Sequence, residues 1–429
     1  MSDRPPPSPA LLFTAFEPSG DDHAAIVIDE LRRRHPDLPI YAWGGPHMAA
    51  AGATIIERTG DDAVMGMPGL KKIREHQKIN ARIAAWLDSF EPGGSNAHLP
   101  HKPTVHIPVD SPAANFPICA IAKKRGLKVV HMVAPQLWAW GPWRIRKLRR
   151  LTDQVLCILP FEEEYFTKRG VAAKFIGHPL FDVRLDTERL DVIGSAFGEG
   201  AGTGAVGGPR VALMPGSRPG EINSNFALLL EAFVRLSAEF PNLRGVVAAT
   251  KPSVESRLHE IAARHRRRLG PWPDNLITVH GQTDAVVRWC DLALVVSGTV
   301  TLQIARQVKP MVVLYKSNPI LYHGFARWLL TTKYFTLPNL IADREILPEF
   351  VPHFGGAVPI ADAAGAILRD PQKLAAQQFE LRAVLEKFGG LHAGPLAADH
   401  IEQIAGLPKG VRPNEVPRTR TGMPTLMPG

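Results

Sequence analysis

The sequence predicts an α/β protein built from two doubly wound parallel sheets. Short, almost wholly apolar segments alternate with segments of helical period, and they do so in two consecutive series. Continuous apolar strands are typical of parallel sheets that helices cover on both faces. The 429 residues also exceed the size at which a single hydrophobic core stops growing. We therefore expect two Rossmann-like domains that face each other across a cleft.

Each series supplies five predicted strands and the helices between them. The first contains the strands LLFTAF, PIYAW, TVHIPV, KVVHMV and QVLCIL and helices over 21–34, 71–90 and 113–124. The second contains RVALM, GVVAA, LITVH, LALVV and MVVLY, with helices over 221–239, 253–268, 284–290 and 301–307. We expect one domain over 1–190 and the other over 210–405. A Gly-rich linker at 191–209 would join them, and 406–429 is predicted to be a disordered tail.

The composition indicates a globular protein with an anionic partner. Apolar residues make up 45% and charged residues 21%, which excludes the disordered and collagen-like classes. The net charge of +9 favours phosphates, nucleic acid or an acidic membrane surface. Cys119, Cys157 and Cys290 lie far apart in apolar runs, which predicts a reducing compartment. With neither a secretory signal pattern nor an apolar run of about 18 residues, we expect a soluble or membrane-peripheral protein.

Two loops of the second series have the residue types of a phosphate site. The loop after RVALM, which opens a long helix, contains Gly216, Ser217, Arg218 and Glu221. The loop after LALVV contains Ser297, Gly298, Thr299 and Gln303. A helix N-terminus offers N–H donors to phosphate, and an arginine can hold a diphosphate with two parallel hydrogen bonds. A capped turn, with Ser217 as the cap and Glu221 complementing the helix dipole, explains the first loop about as well, so both interpretations stay open.

Polar side chains also follow two strands of the first series. Glu17, Ser19, Gly20 and Asp21 come directly after the first predicted strand, and Asp110 ends a later one. Ligands of open α/β sheets bind at the carboxyl ends of strands, so Asp110 is a candidate general base. Taken alone, an aspartate at a strand end is more often a cap or a turn residue.

One segment combines tryptophan with cations. Its candidate membrane-facing residues are Trp138, Trp140, Trp143, Arg144 and Arg146. Tryptophan favours the membrane interface, and the arginines would attract anionic lipid or phosphate. The alternative interpretation is a solvent-exposed basic helix face, which is what a run of cations more often indicates. The aromatic segment 320–337 has the same two interpretations, a second membrane-facing surface or a buried helix. Histidines 98, 101 and 106 match no strong zinc spacing, so we interpret them as surface residues.

Taken together, the motifs resemble the lipid-A-disaccharide synthase family, which are inverting glycosyltransferases of the two-domain GT-B fold. The similarity runs from about residue 11 to 349. Its motifs, in chain order, are EPSGD, GGPHMAAAG, VMG, VDSP, PQLWAW, LPFEEEYF, IGHPL, MPGSRPGEI, VSGTVTLQ and LPNLIADREILPE. Each motif is weak by itself, and their order along most of the chain makes the resemblance specific.

The resemblance implies a reaction and roles for several residues. The glucosaminyl unit of UDP-2,3-diacylglucosamine would move to the 6-hydroxyl of 2,3-diacylglucosamine 1-phosphate, giving a β-1,6 disaccharide and UDP. Asp110 would act as the base, Glu17 would be needed near the acceptor, and Asn339 would belong to the nucleotide site. No cofactor, bound metal or nucleic acid is implied. The expected location is cytoplasmic and peripheral on the inner-leaflet membrane surface, and a homodimer is left open.

The sequence departs from the family pattern at several loop positions. Phe16 replaces a glycine before the EPSGD motif, Gly69 and Ala113 stand where acidic residues are usual, and Gln303 replaces a glutamate. Pro352 stands where a glutamine is usual, and the insert 92–103 replaces a short connection. Two alternatives therefore stay open: a divergent UDP-sugar transferase or epimerase-like paralogue with another acceptor, and a non-catalytic membrane-associated relative.

Overall fold

The computed structural model describes residues 9–59, 70–96, 101–200, 207–321, 330–410 and 418–419. The chain divides into two compact units. Unit 1 comprises Met1–Val183 with Gly390–Arg418, and unit 2 comprises Arg184–Gly389 with Thr419–Gly429. Gly69, His98 and most of the predicted tail lie outside the described residues. So do the central residues of the aromatic segment 320–337.

Unit 1 contains a parallel sheet of seven strands in the order β3-β2-β1-β4-β5-β6-β7. The strands are β1 Ala10–Thr14, β2 Ile40–Gly44, β3 Thr54–Arg58, β4 Pro103–Pro108, β5 Lys128–Met132, β6 Gln154–Cys157 and β7 Ala173–Phe175. The helices are α1 Pro18–Arg34, α2 Pro46–Ala50, α3 Leu70–Asp88, α4 Pro112–Lys124, α5 Ile145–Leu151 and α6 Glu162–Thr167. Two 3₁₀ turns, Pro142–Arg144 and Pro179–Phe181, complete this unit up to the short strand β8, Val183–Arg184.

Unit 2 contains a parallel sheet of six strands in the order β11-β10-β9-β12-β13-β14. The strands are β9 Arg210–Met214, β10 Arg244–Ala249, β11 Leu276–His280, β12 Leu292–Val296, β13 Met311–Lys316 and β14 Glu349–His353. Its helices begin with α7 Thr187–Gly200, α8 Pro219–Glu239, α9 Pro252–Arg264, α10 Arg266–Leu269 and α11 Thr283–Trp289. They continue with α12 Val300–Arg306, α13 Pro319–Leu321, α14 Leu337–Ala342, α15 Val358–Arg369 and α16 Pro371–Glu386.

The strand orders confirm the predicted fold class. In each sheet the first strand pairs on one side with the second and on the other with the fourth, which is the doubly wound arrangement. All ten predicted strands are present. The sequence analysis missed β3, β7 and β14, which are edge strands of their sheets. These three strands are only partly covered and lack a continuous apolar run, whereas the fourth edge strand, β11, has the run LITVH and was predicted.

Helix α8 shows how the second sheet is covered. Its buried face includes Phe226, Leu229 and Phe233, which belong to the apolar core of unit 2. A Cβ atom added to Gly245 on β10 would lie 2.3 Å from the Phe233 ring. The glycine at the start of GVVAA is therefore required by the close approach of an aromatic ring to the strand backbone.

The predicted linker is partly helical, which corrects that expectation. Helix α7 extends to Gly200, and Phe197 packs against Trp289 with ring centroids 6.2 Å apart. Asp191 accepts two hydrogen bonds from Arg288, at 2.7 and 2.9 Å. These contacts stabilise a helix where glycine content alone predicts a flexible chain. In the predicted tail, Arg418–Thr419 forms strand β15, which pairs with β8.

The final helix, α17 Ala393–Ala405, returns to unit 1 instead of ending the second domain as predicted. The Asp182 carboxylate accepts hydrogen bonds from the N–H groups of Ala393 and Gly394 at its start. Farther along, the buried Arg34 of α1 contacts Asp399 at 2.6 Å and Glu402 at 3.1 Å. Arg34 also pairs with Glu30 at 2.7 Å, so acidic groups from two helices surround its charge.

Within the described ranges, no helix is both long enough and apolar enough to cross a bilayer. Nor do the described side chains form a group of three or more His, Cys, Asp or Glu residues suited to a metal ion. His106, interpreted above as a surface residue, is fully buried on β4. Burial lowers the pKa of His106 to about 3, with a further lowering from His131.

Candidate active site

Most candidate catalytic and nucleotide residues lie on four loops, or in the first helical turns after them, beside the point where each strand order reverses. In unit 1 these loops follow β1 and β4, and in unit 2 they follow β9 and β12. Adjacent first and fourth strands send their connections to opposite faces of the sheet, which opens a crevice at their carboxyl ends. The two loops of each unit therefore border the ligand crevice of that unit's own sheet.

The loop after β9 combines a left-handed glycine with an oriented arginine. Gly216 has φ +93°, a conformation that glycine adopts without strain. Arg218 is at the N-cap position of α8, and its own side chain makes no capping hydrogen bond to this helix. The Arg218 Nη1 donates to Glu221 Oε1 at 3.0 Å. Glu221, a residue of ambiguous role in the sequence, therefore orients the Arg218 guanidinium beside the N-terminus of α8.

The sequence analysis did not identify two residues that lie near this loop, Asn225 and Tyr315. Asn225 is fully buried, donates to the Glu221 carbonyl at 2.8 Å and accepts from the Lys316 N–H at 2.6 Å. Burial raises the pKa of Tyr315, the Glu221 charge raises it further, and the charge of Arg218 lowers it. Tyr315 therefore lies near the Arg218–Glu221 pair. No local motif marks either residue, because the contact of Asn225 with Lys316 and the proximity of Tyr315 to α8 arise only in the folded chain.

The loop after β12 is more open. Gly298 and Thr299 are exposed, while Ser297 and Gln303 are half-buried. The Ser297 hydroxyl donates to the Phe335 carbonyl at 3.4 Å, and the Thr301 hydroxyl donates to the Gly298 carbonyl at 2.8 Å. The exposed hydroxyl of Thr299 thus stands at the N-cap position of α12.

The structure places Asn339, predicted to belong to the nucleotide site, in the interior beside the start of β14. Asn339 is fully buried. Its Oδ1 accepts from the N–H groups of Ile346 and Leu347, at 2.8 and 3.1 Å. Its Nδ2 donates to the Leu347 carbonyl at 3.0 Å and to Glu349 Oε2 at 2.9 Å. These four bonds use the full capacity of an amide side chain.

In unit 1 the loops after β1 and β4 are in direct contact. The Ser111 hydroxyl donates to Glu17 Oε1 at 3.1 Å. Asp110 and Ser111 have φ angles of +50° and +41°, so two consecutive non-glycine residues are left-handed. Such residues cost of order 1–3 kcal/mol each and occur mainly at functional sites. The Asp110 turn, defined as residues 109–111, therefore holds a half-buried carboxylate in a strained, fixed position beside Glu17.

A buried polar network supports the Asp110 turn. Asn115 donates to the carbonyls of Val109 and Asp110, at 3.1 and 2.8 Å. It accepts from the Thr14 hydroxyl at 2.7 Å, and Thr14 is 2.9 Å from His106 Nε2. Thr14, His106 and Asn115 are all fully buried. Because its donors stabilise the two carbonyls that flank the strained corner, Asn115 offsets part of the strain.

The EPSGD motif has mainly a packing and capping function in the structure. The Asp21 carboxylate is buried and accepts from the N–H groups of Gly45, His47 and Met48, at 2.9, 2.9 and 3.1 Å. It thereby caps helix α2. A Cβ atom on Gly20 would lie 3.3 Å from that of Ala15. Ser19 is half-buried, and Glu17 is the member of the motif that contacts the Asp110 turn.

The tryptophan-rich segment separates into a buried and an exposed part. Trp138 is buried and its indole N–H donates to Glu162 at 2.9 Å, which corrects its assignment to a membrane surface. Trp140 and Trp143 are 45% and 63% exposed. The Arg144 guanidinium lies 3.9 Å from the Trp140 ring centroid, and Arg146 is exposed. The exposed part combines two indoles with unburied cations.

The Asn115 network yields a stability prediction. Asn115→Ala leaves the Thr14 hydroxyl and two carbonyls of the Asp110 turn without this partner. We expect the free energy of unfolding to fall by about 2–3 kcal/mol, because buried unsatisfied groups keep their desolvation cost. Urea denaturation measures this change. The exposed Asn223→Ala in α8 is the control, with an expected change within about 0.5 kcal/mol. A loss for Asn115→Ala no larger than this control would contradict the proposed support.

Comparisons with known proteins indicate the family of this chain. A model of the lipid-A-disaccharide synthetase family matches residues 11–391. The lipid-A-disaccharide synthase of Myxococcus xanthus is 35% identical over 80% of this chain and 84% of its own. The synthase of Geobacter metallireducens is 31% identical over 89% of this chain and 94% of its own.

Solved structures of other proteins share the fold at low identity. The UDP-GlcNAc 2-epimerase of Neisseria meningitidis bound to UDP-GlcNAc has a TM-score of 0.59 and 12% identity. It covers 92% of this chain and 99% of its own. HepE of Anabaena, in complex with UDP-glucose, has a TM-score of 0.54 and 11% identity. It covers 93% of this chain and 100% of its own.

The higher sequence identities are all with synthases, so the epimerase-like and non-catalytic alternatives are not favoured. The family match extends over most of both units, from the first strand to the segment before α17. This chain belongs to the lipid-A-disaccharide synthase family of glycosyltransferases.

Proposed function

We propose that this enzyme transfers the glucosaminyl unit of UDP-2,3-diacylglucosamine to the 6-hydroxyl of 2,3-diacylglucosamine 1-phosphate. The new bond joins the acceptor oxygen to the anomeric carbon, the bond from that carbon to the diphosphate breaks, and UDP leaves. The observation that supports this most is the strained Asp110 turn, because it fixes a carboxylate at the carboxyl end of β4 in a chain that belongs to this family.

Asp110 is the proposed general base. It would accept the proton of the 6-hydroxyl as the oxygen attacks, which contributes typically 10²- to 10⁴-fold in such reactions. Glu17 is proposed to lie at the acceptor side of the same crevice, since it accepts a hydrogen bond from Ser111 next to the base. Its carboxylate would orient the acceptor hydroxyls and leave the proton transfer to Asp110.

The loops after β9 and β12 are the proposed UDP site. Arg218 and the N-terminus of α8 would stabilise the negative charge that grows on the diphosphate as the glycosidic bond breaks. Ser297, Thr299 and Gln303 would hydrogen-bond the nucleotide. Gln303 is neutral where the family usually has a glutamate, so its bond to a ribose hydroxyl would lack charge assistance.

The exposed part of the tryptophan-rich segment is the proposed membrane contact. Trp143 and Trp140 would enter the interface, and Arg144 and Arg146 would attract anionic headgroups of the inner leaflet. Both substrates are acylated, so contact with the bilayer would bring the crevice of unit 1 to its acceptor.

The test of the function is a synthase assay with both acylated substrates, in which UDP and the disaccharide are quantified. We expect product with the wild-type chain and a loss of kcat of roughly 10²- to 10⁴-fold in Asp110→Asn. Asparagine tolerates left-handed backbone, so this variant removes the base and keeps the turn. The exposed Asp88→Asn is the matched control. Absence of product in the wild type, under conditions where a known synthase works, would reject the function.

The Arg218 assignment predicts a binding change. Arg218→Ala should raise the Kd for UDP roughly 10- to 100-fold, because hydrogen bonds to charged groups contribute about 1.5–3 kcal/mol. Isothermal titration calorimetry measures this directly. Arg257→Ala, which removes an exposed cation from α9 of the same unit, should leave the affinity unchanged. Equal affinities in the two variants would remove Arg218 from the nucleotide site.

The membrane contact predicts a change in vesicle binding. Trp143→Ser with Arg146→Ser should weaken co-sedimentation with anionic phosphatidylglycerol vesicles by about tenfold, since a basic residue near such a surface contributes about 1 kcal/mol and the indole adds apolar area. Lys124→Ser removes one exposed cation from α4 and serves as the control for net charge. If the control variant loses as much binding as the double variant, the effect is general electrostatics and the segment is not the contact.

A further inference from the structure

The buried carboxylate of Glu162 has no role in the chemistry described so far. It is 1% exposed at the start of α6. One oxygen accepts from the Trp138 indole N–H at 2.9 Å. The other accepts from the N–H groups of Ile158 and Leu159, at 3.2 and 3.0 Å. All three partners are donors, so the site requires an acceptor on both oxygens, and an ionised carboxylate meets this requirement.

The Trp138 bond connects Glu162 to the loop Pro135–Trp140, which follows β5. Phe161 packs edge-on against Trp138 with centroids 5.0 Å apart, and the Tyr165 hydroxyl donates to the Leu137 carbonyl at 3.2 Å. The start of α6 therefore holds this loop through a charged hydrogen bond, an aromatic contact and a second hydrogen bond. An ion-assisted bond is roughly twice as strong as a neutral one, so the Glu162 contact is the principal tether.

The same loop leaves the sheet next to the Asp110 turn. The Asp110 N–H donates to the carbonyl of Met132, the last residue of β5, at 3.0 Å. Val133, the next residue, has φ +61°. A hydrogen bond thus joins the chains after β4 and β5 at the point where each has a residue with left-handed backbone, Asp110 and Val133. A shift of the Pro135–Trp140 loop would be transmitted directly to the backbone of Asp110.

The electrostatics agree with this proximity. The pKa of Glu162 is raised to about 7: burial and the negative charge of Asp110 raise it, and the hydrogen bonds from Trp138, Leu159 and Ile158 offset part of that rise. Asp110 thus lies near enough to Glu162 for their charges to interact.

We propose that Glu162 is a positioning residue for glycosyl transfer, because its carboxylate fixes the Pro135–Trp140 loop beside the Asp110 turn. The expected effect on kcat rests on the proposed function. The fixing of the Pro135–Trp140 loop rests on the hydrogen bonds alone. Glu162 acts through Trp138 and the β5 chain, and no contact with substrate is part of its role.

The decisive variant is Glu162→Gln. Whichever way the amide is turned, its NH₂ group opposes an N–H donor, either the indole or the two backbone groups. At pH 8, above the pKa of Glu162, we expect kcat to fall roughly 10- to 100-fold, since displacement of a catalytic group by about 1 Å has effects of this size. The KM for the UDP donor and the Kd for UDP should stay unchanged, because they depend on unit 2. The matched control is Glu164→Gln, an exposed carboxylate on the same helix.

A double-mutant cycle with Trp138→Phe separates positioning from general damage. Without the indole N–H, the glutamine can turn its oxygen to Ile158 and Leu159 and its NH₂ toward the phenyl ring. Adding Glu162→Gln to Trp138→Phe should therefore lower kcat by no more than about threefold. If the two losses simply multiply, the residues do not act as a unit and the proposal is overturned. If Glu162→Gln fails to fold, Trp138→Phe alone decides: a wild-type kcat overturns the proposal.

Hydrogen exchange provides a readout that does not need the reaction. Peptides that cover 133–140 should exchange faster in Glu162→Gln than in Glu164→Gln, while peptides from β9 and α8 stay unchanged. An inactive wild-type enzyme would reject the proposed function, and the exchange experiment would still test the tether. Equal exchange in the two variants would overturn the positioning role even if the wild type is active.

Discussion

The reversal of strand order beside the first strand of each sheet is the constraint on which the rest of the molecule depends. Parallel strands bring all their carboxyl ends to one edge, and the reversal leaves the loops after the first and fourth strands without a helix between them. Asp110 and Glu17 in unit 1, and Arg218 and Ser297 in unit 2, all occupy such loops. The same reversal of strand order therefore accounts for the positions of these four candidate residues in both units.

In both units, buried asparagine side chains hydrogen-bond the backbone of irregular segments near the strand ends. Asn115 bonds two carbonyls of the Asp110 turn, Asn225 joins α8 to the end of β13, and Asn339 bonds the turn before β14. An amide offers two donors and two acceptors, so it can satisfy an irregular backbone that neither a helix nor a sheet satisfies. These residues support irregular backbone from the interior of each unit.

Much of the fold follows from the sequence, because a central strand such as β12 is a continuous apolar run between turn residues. The edge strands β3 and β14 lack that signal, since one side of each meets solvent. The strand-end positions of Asp110 and Arg218 were predictable for the same reason. The burial of Trp138 and Asn339 was not: their partners, Glu162 and Glu349, lie 24 and 10 residues away, and only the folded chain brings them together. Tryptophan beside arginine predicts an exposed membrane-facing position. Trp138 is buried instead, because its indole N–H donates to the buried Glu162 carboxylate.

The return of helix α17 to unit 1 has a consequence for the order in which the protein is made. Residues 184–389 of unit 2 form one uninterrupted stretch, so this stretch leaves the ribosome complete while unit 1 still lacks its last helix. Until residue 405 emerges, Arg34 has only Glu30 as an acidic partner from α1, and Asp182 has no N–H groups of α17 to accept. The first part of the chain to be synthesised therefore waits for a late helix, and a chain that ended before residue 393 would leave Arg34 and Asp182 without their partners on α17.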